Sequence, residues 1–504
     1  MFHSCCRNVM MLLWLVMASE LMWPLSLHAT DWYVAPTGSP ECSGLNWVSA
    51  LDCLQDALDR SVSGDRIFVA EGVYMPKKCS GDAIVPHASF QLKDGVSLFG
   101  GMAGYESVAE FLSMPSYTVF ILDKRPTHDR DRNGIIEAWE YLHETVLTLP
   151  PGCSGPVLEC GGTVFGKRTL VSGFTIRGGN ALGLAGESAN PGKGGGASVS
   201  GTVEFQCCLF EDNYAIDGGA IHSDGEAIIT RSRFIRNNAA GGGGAICMIG
   251  DGGQVRACVF SDNGDEQSCI SGGGAIYLGG AAHVNFCTAV GNASFGGGSA
   301  IMVAGTGARI RNSLIWGNFG HPQELWCGNG NEVERCAVTS GGCAGVVSEG
   351  CFPLARDNAG PNGVDVNDND AGLYYPCMND VPLGNFSLGR GSYLIQRCDR
   401  ERLPWQHMSE QDVEMTYSEY AFDMYSFGCE PGYDARPGAL RDIKDWNGHF
   451  SIFGKRKCPL IAVGAYDTFN GYNDDGVVPG NMAIHASLDR ELYYGECARI
   501  RLVR

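Results

Sequence analysis

Long apolar runs, clustered cations and helical periodicity are all scarce in this chain. After residue 29 no stretch reaches the roughly 18 consecutive apolar residues that a membrane-crossing helix needs. The C-terminal part has no succession of alternating ten-residue strands of the kind that closes an outer-membrane barrel. Lys and Arg number 36 against 56 Asp and Glu, a net charge of −20. Nucleic acid and anionic bilayers are bound through grouped cations, so neither is expected as a partner. The surplus of carboxylates leaves room for calcium. Cysteine is plentiful, but the C-x-x-C spacing of a zinc knuckle is missing.

Residues 1–29 read as a signal peptide, with basic Arg7, an apolar run Val9–Ala18, a second apolar patch Leu21–Leu27 and Ala29 as cleavage residue. Setting aside Cys5 and Cys6 leaves 20 of the 22 cysteines. An even number in an exported chain points to an oxidising destination and to disulfides, with Cys42/Cys53, Cys153/Cys160 and Cys343/Cys351 as close pairs.

What the chain has in abundance is a repeat. Gly194-Gly195-Gly196-Ala197, Gly218-Gly219-Ala220-Ile221, Gly243-Gly244-Ala245-Ile246 and Gly273-Gly274-Ala275-Ile276 are followed by a looser copy, Gly297-Gly298-Ser299-Ala300-Ile301. Between them stand Phe210-x-x-Asn213, Phe234-x-x-Asn237 and Phe260-x-x-Asn263, then Ala289-x-x-Asn292 and Ile315-x-x-Asn318. The asparagines recur after 24, 26, 29 and 26 residues. A period of that size, built of short β-branched and aromatic runs, marks a solenoid of strands. Helix is excluded here, since each Gly in a helix interior costs about 1 kcal/mol.

One period, residues 218–237, divides into an apolar strand at Ala220-Ile221, a turn at Ser223-Asp224-Gly225, and further strands from Ala227 to Phe234. Three strands per turn of chain give an all-β, right-handed, single-stranded parallel β-helix, each coil about 4.8 Å above the last. The Phe column fills the lumen. Asn213, Asn237, Asn263, Asn292 and Asn318 form a buried amide ladder. Cys208, Ser232, Cys258, Cys287, Ser313 and Cys336 make a third column, in which Cys258 and Cys287 are either buried thiols or a disulfide.

Residues 30–104 are expected to form an N-terminal cap and first coils: strand Trp32–Val34, a helix Trp47–Ser61 with Leu51, Leu54, Ala57 and Leu58 on one face, and strand Arg66–Ala70. Residues 105–160 break the rhythm as an insertion, residues 161–400 hold the β-helix core, and residues 401–504 form an irregular C-terminal region with insertions, last strands and a tail. Within the insertion, Asp129, Asp131, Asn133, Glu137 and Glu140 occupy positions 1, 3, 5, 9 and 12 of a twelve-residue calcium loop. Gly134 sits at the bend and Ile135 offers its carbonyl, with a helix expected over Ile136–His143. Calcium is the one expected cofactor, as a structural staple. In the C-terminal third, Trp405, Tyr417, Tyr420, Tyr425 and Trp446 are candidate ligand-binding aromatics, since exposed rings stack on sugars.

The Gly-Gly-Ala-Ile and Phe-x-x-Asn repeats resemble those of the polymorphic outer-membrane proteins. The opening Trp32-Tyr33-Val34-Ala35-Pro36-x-Gly38, with Leu54–Leu58 and Gly64–Tyr74, is similar to capped exported bacterial proteins of the pectin-lyase-like superfamily. So are Leu98–Glu106 and Val463–Tyr466. The resemblance covers residues 32–467 and implies a right-handed parallel β-helix that is secreted or held at the bacterial cell surface. Members of that fold range from polysaccharide lyases to adhesins, so it implies no single activity.

An enzyme of this fold needs carboxylates converging from adjacent coils. Asp217, Asp224, Glu226, Asp251, Asp262, Asp265 and Glu266 are the candidates, but most adjoin Gly, where a turn role accounts for them. The expectation is a monomeric, non-enzymatic surface protein binding glycan or another protein. A polysaccharide lyase or glycoside hydrolase acting on acidic polysaccharide is the alternative.

Overall fold

A computed structural model describes residues 29–354, apart from 77–86, 108–111, 114–121, 133–138, 162–167, 183–191, 346–351 and a few single positions; beyond 354 it describes only short strands. Asp31–Val34 pairs in parallel with Arg66–Ala70, and from there three sheets grow side by side. The first runs through ten strands from Asp31–Val34 to Glu332–Glu334. The second includes Thr175–Arg177, Leu209–Glu211, Arg233–Ile235, Val259–Ser261, Thr288–Val290 and Leu314–Trp316. The third runs through nine strands, Phe90–Gln91 to Cys343–Gly345. Each coil contributes one strand to each sheet, and neighbouring coils pair in parallel and in register, as at Phe210↔Phe234↔Phe260↔Ala289↔Ile315. This is a parallel β-helix.

The columns read from the repeat meet inside it. The Phe210 and Phe234 rings stack at 5.0 Å, and Phe234 and Phe260 at 4.8 Å, with all three fully buried. Each ladder asparagine donates from Nδ2 to Oδ1 of the next, 213 to 237 at 2.9 Å, 237 to 263 at 3.0 Å, 263 to 292 at 2.9 Å and 292 to 318 at 2.9 Å. The same Oδ1 accepts the backbone N–H of the previous asparagine, and a second Nδ2 bond goes to a carbonyl such as Phe210 O. Asn318 donates to the Glu324 carboxylate, which closes the series.

The bend between the first two sheets is a second ladder. A residue with positive φ (Cys207, Arg231, Ala257, Phe286) precedes the Cys/Ser column. The hydroxyl or thiol then donates to the carbonyl two residues back, as Ser232 does to Thr230 at 2.9 Å and Cys258 to Arg256 at 3.1 Å. Cys258 and Cys287 are therefore thiols, and burial pushes the Cys208 thiol up to about 12. Cys42, Cys53, Cys153 and Cys160, expected in two bridges, are free as well; Cys351 lies outside the described residues. Later in the asparagine bend, just before the third-sheet strand, Gly218 has φ +64, and a Cβ on Gly219 would stand 2.2 Å from the Gly244 carbonyl oxygen of the next coil. Side chains are barred there by coil-to-coil approach.

The cap differs from its expected form. Leu51 exchanges backbone bonds with Tyr33 and Ala35, which draws Ala50 and Leu51 into extended pairing. The segment thus splits into a 3₁₀ turn, Trp47–Ser49, and a helix α1, Leu54–Arg60, which buries Leu54, Ala57 and Leu58 over the open end of the solenoid. Thr145–Thr148 and Leu158–Cys160, inside the expected insertion, are ladder strands. Strands are also expected from the sequence at Phe386–Leu388 and Leu460–Tyr466; Asn385–Leu388 and Leu460–Ile461 are strands, and they pair antiparallel with Met378–Asp380 and Cys429–Glu430 in separate two-stranded sheets.

Asn237→Ala removes one rung and leaves buried partners on both sides unpaired. Its expected cost is about 1–3 kcal/mol, read as a lowered midpoint of chemical denaturation. An unchanged midpoint would mean that the ladder amides are solvated.

Candidate functional site

Two places outside the lumen gather chemistry. The first is the insertion. Carboxylate oxygens of Asp129, Asp131 and Glu140 lie within 4.8 Å of one another. Asn133, Ile135 and Glu137, the remaining expected ligands, lie outside the described residues. The expected exit helix is not formed over Trp139–His143. His128 N–H donates to the Glu140 carbonyl and Leu142 N–H to that of Pro126, so the chain runs back antiparallel through a Thr127–Tyr141 bridge. Backbone groups committed across that pairing are lost to an i to i−4 ladder. Glu140 Oε1 accepts the N–H groups of Arg130 and Asp131 at 3.0 and 3.1 Å.

Arg125 fixes this loop to the solenoid. It is 1% exposed, donates to Gly100 O at 2.6 Å, Ser172 O at 3.1 Å, Ser172 Oγ at 2.7 Å and Tyr141 Oη at 2.9 Å, and lies 4.3 Å above the Tyr141 ring. From the solenoid side Arg233 donates to Asp131 Oδ2 at 2.8 Å. One cation of the protein thus already touches the acidic group.

The second place is the outer face of the third sheet. Strand alternation sends every residue after the repeat's Ile or its equivalent outward. The result is a single file in register, Ser198, His222, Cys247, Tyr277, Met302 and Trp326. Tyr277, Met302 and Trp326 are partly exposed. A Cβ on Gly242 would meet the Tyr277 ring at 3.1 Å, and one on Gly297 would meet Met302 Sδ at 3.5 Å and Trp326 at 3.9 Å. The rings therefore rest over glycine backbone, with the Ser271 side chain beside Tyr277.

The other end of the file is polar. His222 is buried, with Nδ1 3.5 Å from Asp224 Oδ1, and Asp224 Oδ2 is paired with Lys193 at 2.9 Å. Burial pushes the imidazole below its ordinary value, and Lys193 adds to this, while Asp224 and Asp217 oppose it. Burial likewise raises the Tyr277 hydroxyl and the Cys247 thiol, both in the field of Asp217. Burial thus holds the Cys247 thiol toward its neutral form.

The remaining carboxylates are occupied by turns. Asp217 accepts the Gly242 N–H, Asp251 that of Ala281, and Asp265 those of Gln267 and Ser268. Glu226 meets the Thr202 hydroxyl. Asp262 carries positive φ at the corner, and burial raises its carboxyl against the pull of Arg233 and Arg236. Glu266 is exposed. None of these seven belongs to the three-carboxylate group found among the described residues. Trp405, Tyr417, Tyr420, Tyr425 and Trp446 lie outside the described residues, whereas Tyr277 and Met302 were legible as the position following the motif's Ile; Trp326 follows Leu325 in a coil without the motif.

A buried imidazole with a depressed pKa binds its proton less readily folded than unfolded. Stability from His222 is present above the ordinary histidine value of about 6.5 and is lost as pH falls below it. Melting temperature is expected to fall through that window, and His222→Gln is expected to flatten part of the slope. An unaltered slope in the variant would place the effect elsewhere.

No family model matches the sequence, and no curated protein matches it. Among solved structures the chain is similar to the crystal structure of pectate lyase Pel9A, with 13% identity, TM-score 0.35 and coverage of 76% of this chain and 94% of that one. It is also similar to the complex of XylC with xylose, at 10% identity and TM-score 0.25, covering 62% and 76%. At these values neither likeness bears on chemistry, and the fold stands on the register of its strands.

Proposed function

We propose that this chain is a non-enzymatic, exported β-helix protein that binds glycan along the outer face of its third sheet. The single observation behind this reading is the in-register file of Tyr277, Met302 and Trp326 lying over glycine bends. Aromatic faces bury the apolar faces of sugar rings, and a rigid sheet presents them at low entropic cost. Six of the seven carboxylates that an enzyme would recruit in the repeat region are explained by turn, hydroxyl or corner contacts. The apolar segment before residue 29 and the repeats' resemblance to polymorphic outer-membrane proteins support a place outside the cytoplasm, secreted or at a cell surface.

A divalent cation held by Asp129, Asp131 and Glu140 is part of the proposal, as a staple for the insertion. Hard oxygen donors in a loop of this spacing suit calcium. Arg233 at Asp131 offers the competing explanation for the same charges. The two separate by limited proteolysis of residues 105–144 with calcium and with chelator. Protection by calcium, lost in Asp129→Ala, is expected; equal cleavage in both buffers would assign the acids to Arg233 alone.

For the glycan reading, the intact chain is expected to retain polysaccharides on a glycan array. Trp326→Ala is expected to weaken the bound signal about tenfold, an effect of about 1.4 kcal/mol. Release of reducing or unsaturated sugar from any bound polysaccharide would replace this reading with an enzymatic one.

A further inference from the structure

We infer that the ligand of the third sheet is an extended, uncharged polysaccharide with β-linked rings, lying parallel to the solenoid axis and crossing the strands at right angles; this rests on the glycan reading above. The first argument is spacing. Parallel coils are about 4.8 Å apart, so Tyr277 and Trp326, separated by one coil, stand about 9.6 Å apart along the axis. In an extended β-linked chain each ring is rotated against its neighbour, and every second ring presents the same face. Two platforms one coil apart therefore meet alternate rings, and Met302 between them supplies a soft, polarizable contact for the ring in the middle. A helical α-linked glucan curves away from such a straight file.

The second argument is charge. No outward residue of this file is a Lys or Arg: Ser198, His222, Cys247, Tyr277, Met302 and Trp326 carry none. Among the described residues the charged groups at its polar end are Asp217, Asp224 and Lys193, and Lys193 is paired with Asp224. His222 is held toward its neutral form by burial. The field along the file is therefore negative, in a chain already at −20. A polyuronate laid here would bring its carboxylates against Asp217 and Asp224, where Lys193 is already committed to Asp224. Hydroxyl groups meet no such repulsion, since they donate to the carboxylates.

The third argument is access. The rings lean over Gly242 and Gly297, where an added side chain would collide with them, so glycine at these two positions gives the rings their room. The track also continues in the direction of the axis, from the aromatic end into the polar end, along strands that never change register from Ala197 to Cys327.

The test is calorimetry on the full chain with β-1,4-glucan oligosaccharides of increasing length, α-1,4-glucan oligosaccharides and oligogalacturonates. The β-linked neutral series is expected to bind with affinity that rises with length and then levels off. Tyr277→Ala and Trp326→Ala are each expected to weaken it about tenfold, while Tyr277→Phe, which keeps the ring and the fold, retains at least half the affinity. Tighter binding of oligogalacturonate or of the α-linked series, lost in the same two alanine variants, would overturn the ligand class and leave the binding face in place. Binding of no glycan, or binding indifferent to both alanine variants, would overturn the binding face itself.

Discussion

The hydrogen bond from one buried amide to the next is the constraint on which this molecule turns. An asparagine at the second bend has two donors and an oxygen, all removed from water, and from Asn213 to Asn292 its partners are the backbone and the asparagines of neighbouring coils. Each rung therefore fixes the height and the register of the next. The Cys/Ser column does the same at the first bend, where hydroxyl and thiol close the corner made by a left-handed residue. With both corners pinned, a slip of one residue would turn the Phe stack out of the lumen and leave the amides unpaired.

That rigidity has a consequence on the outside. Because the inner columns cannot drift, the outer ones are straight, and residues far apart in sequence stand in file about one strand spacing apart. The third sheet puts Tyr277, Met302 and Trp326 on such a file. The rings lie over Gly242 and Gly297, where an added side chain would meet side chains, whereas the backbone of the neighbouring coil is what demands glycine at Gly219 and Gly244. Packing and surface thus use different glycines of the same bend.

The insertion follows a different logic. It is held by Arg125, whose guanidinium is satisfied by carbonyls and hydroxyls of the first coils, and by Tyr141 stacked on it. Its acidic residues then gather in a loop that folds back on itself instead of leading into a helix. Arg233 reaches them from the second sheet, so the coil surface and the insertion are electrostatically matched even without an added ion. In the repeat region, by contrast, acids are taken up by backbone N–H groups at turns, as at Asp217, Asp251 and Asp265, or by cations, as Glu211 and Asp212 are by Arg236.

By itself the sequence determined the solenoid, the three inward columns and the glycine bends, because a feature repeated every 24 to 29 residues needs only local rules and stacking to place it. Only the tertiary structure decided that Cys258 and Cys287 stay as thiols, since whether a thiol meets a carbonyl or another sulfur depends on the corner geometry. It also decided that the Trp47–Ser61 segment splits, because Leu51 pairs with a strand that local periodicity does not reveal. The loop around Asp129 had a sequence pattern for a helix that its backbone pairing overrode. Tyr277 and Met302 stand after a motif's Ile, but placing Trp326 in file with them required knowing which strands are neighbours, and that is a long-range fact.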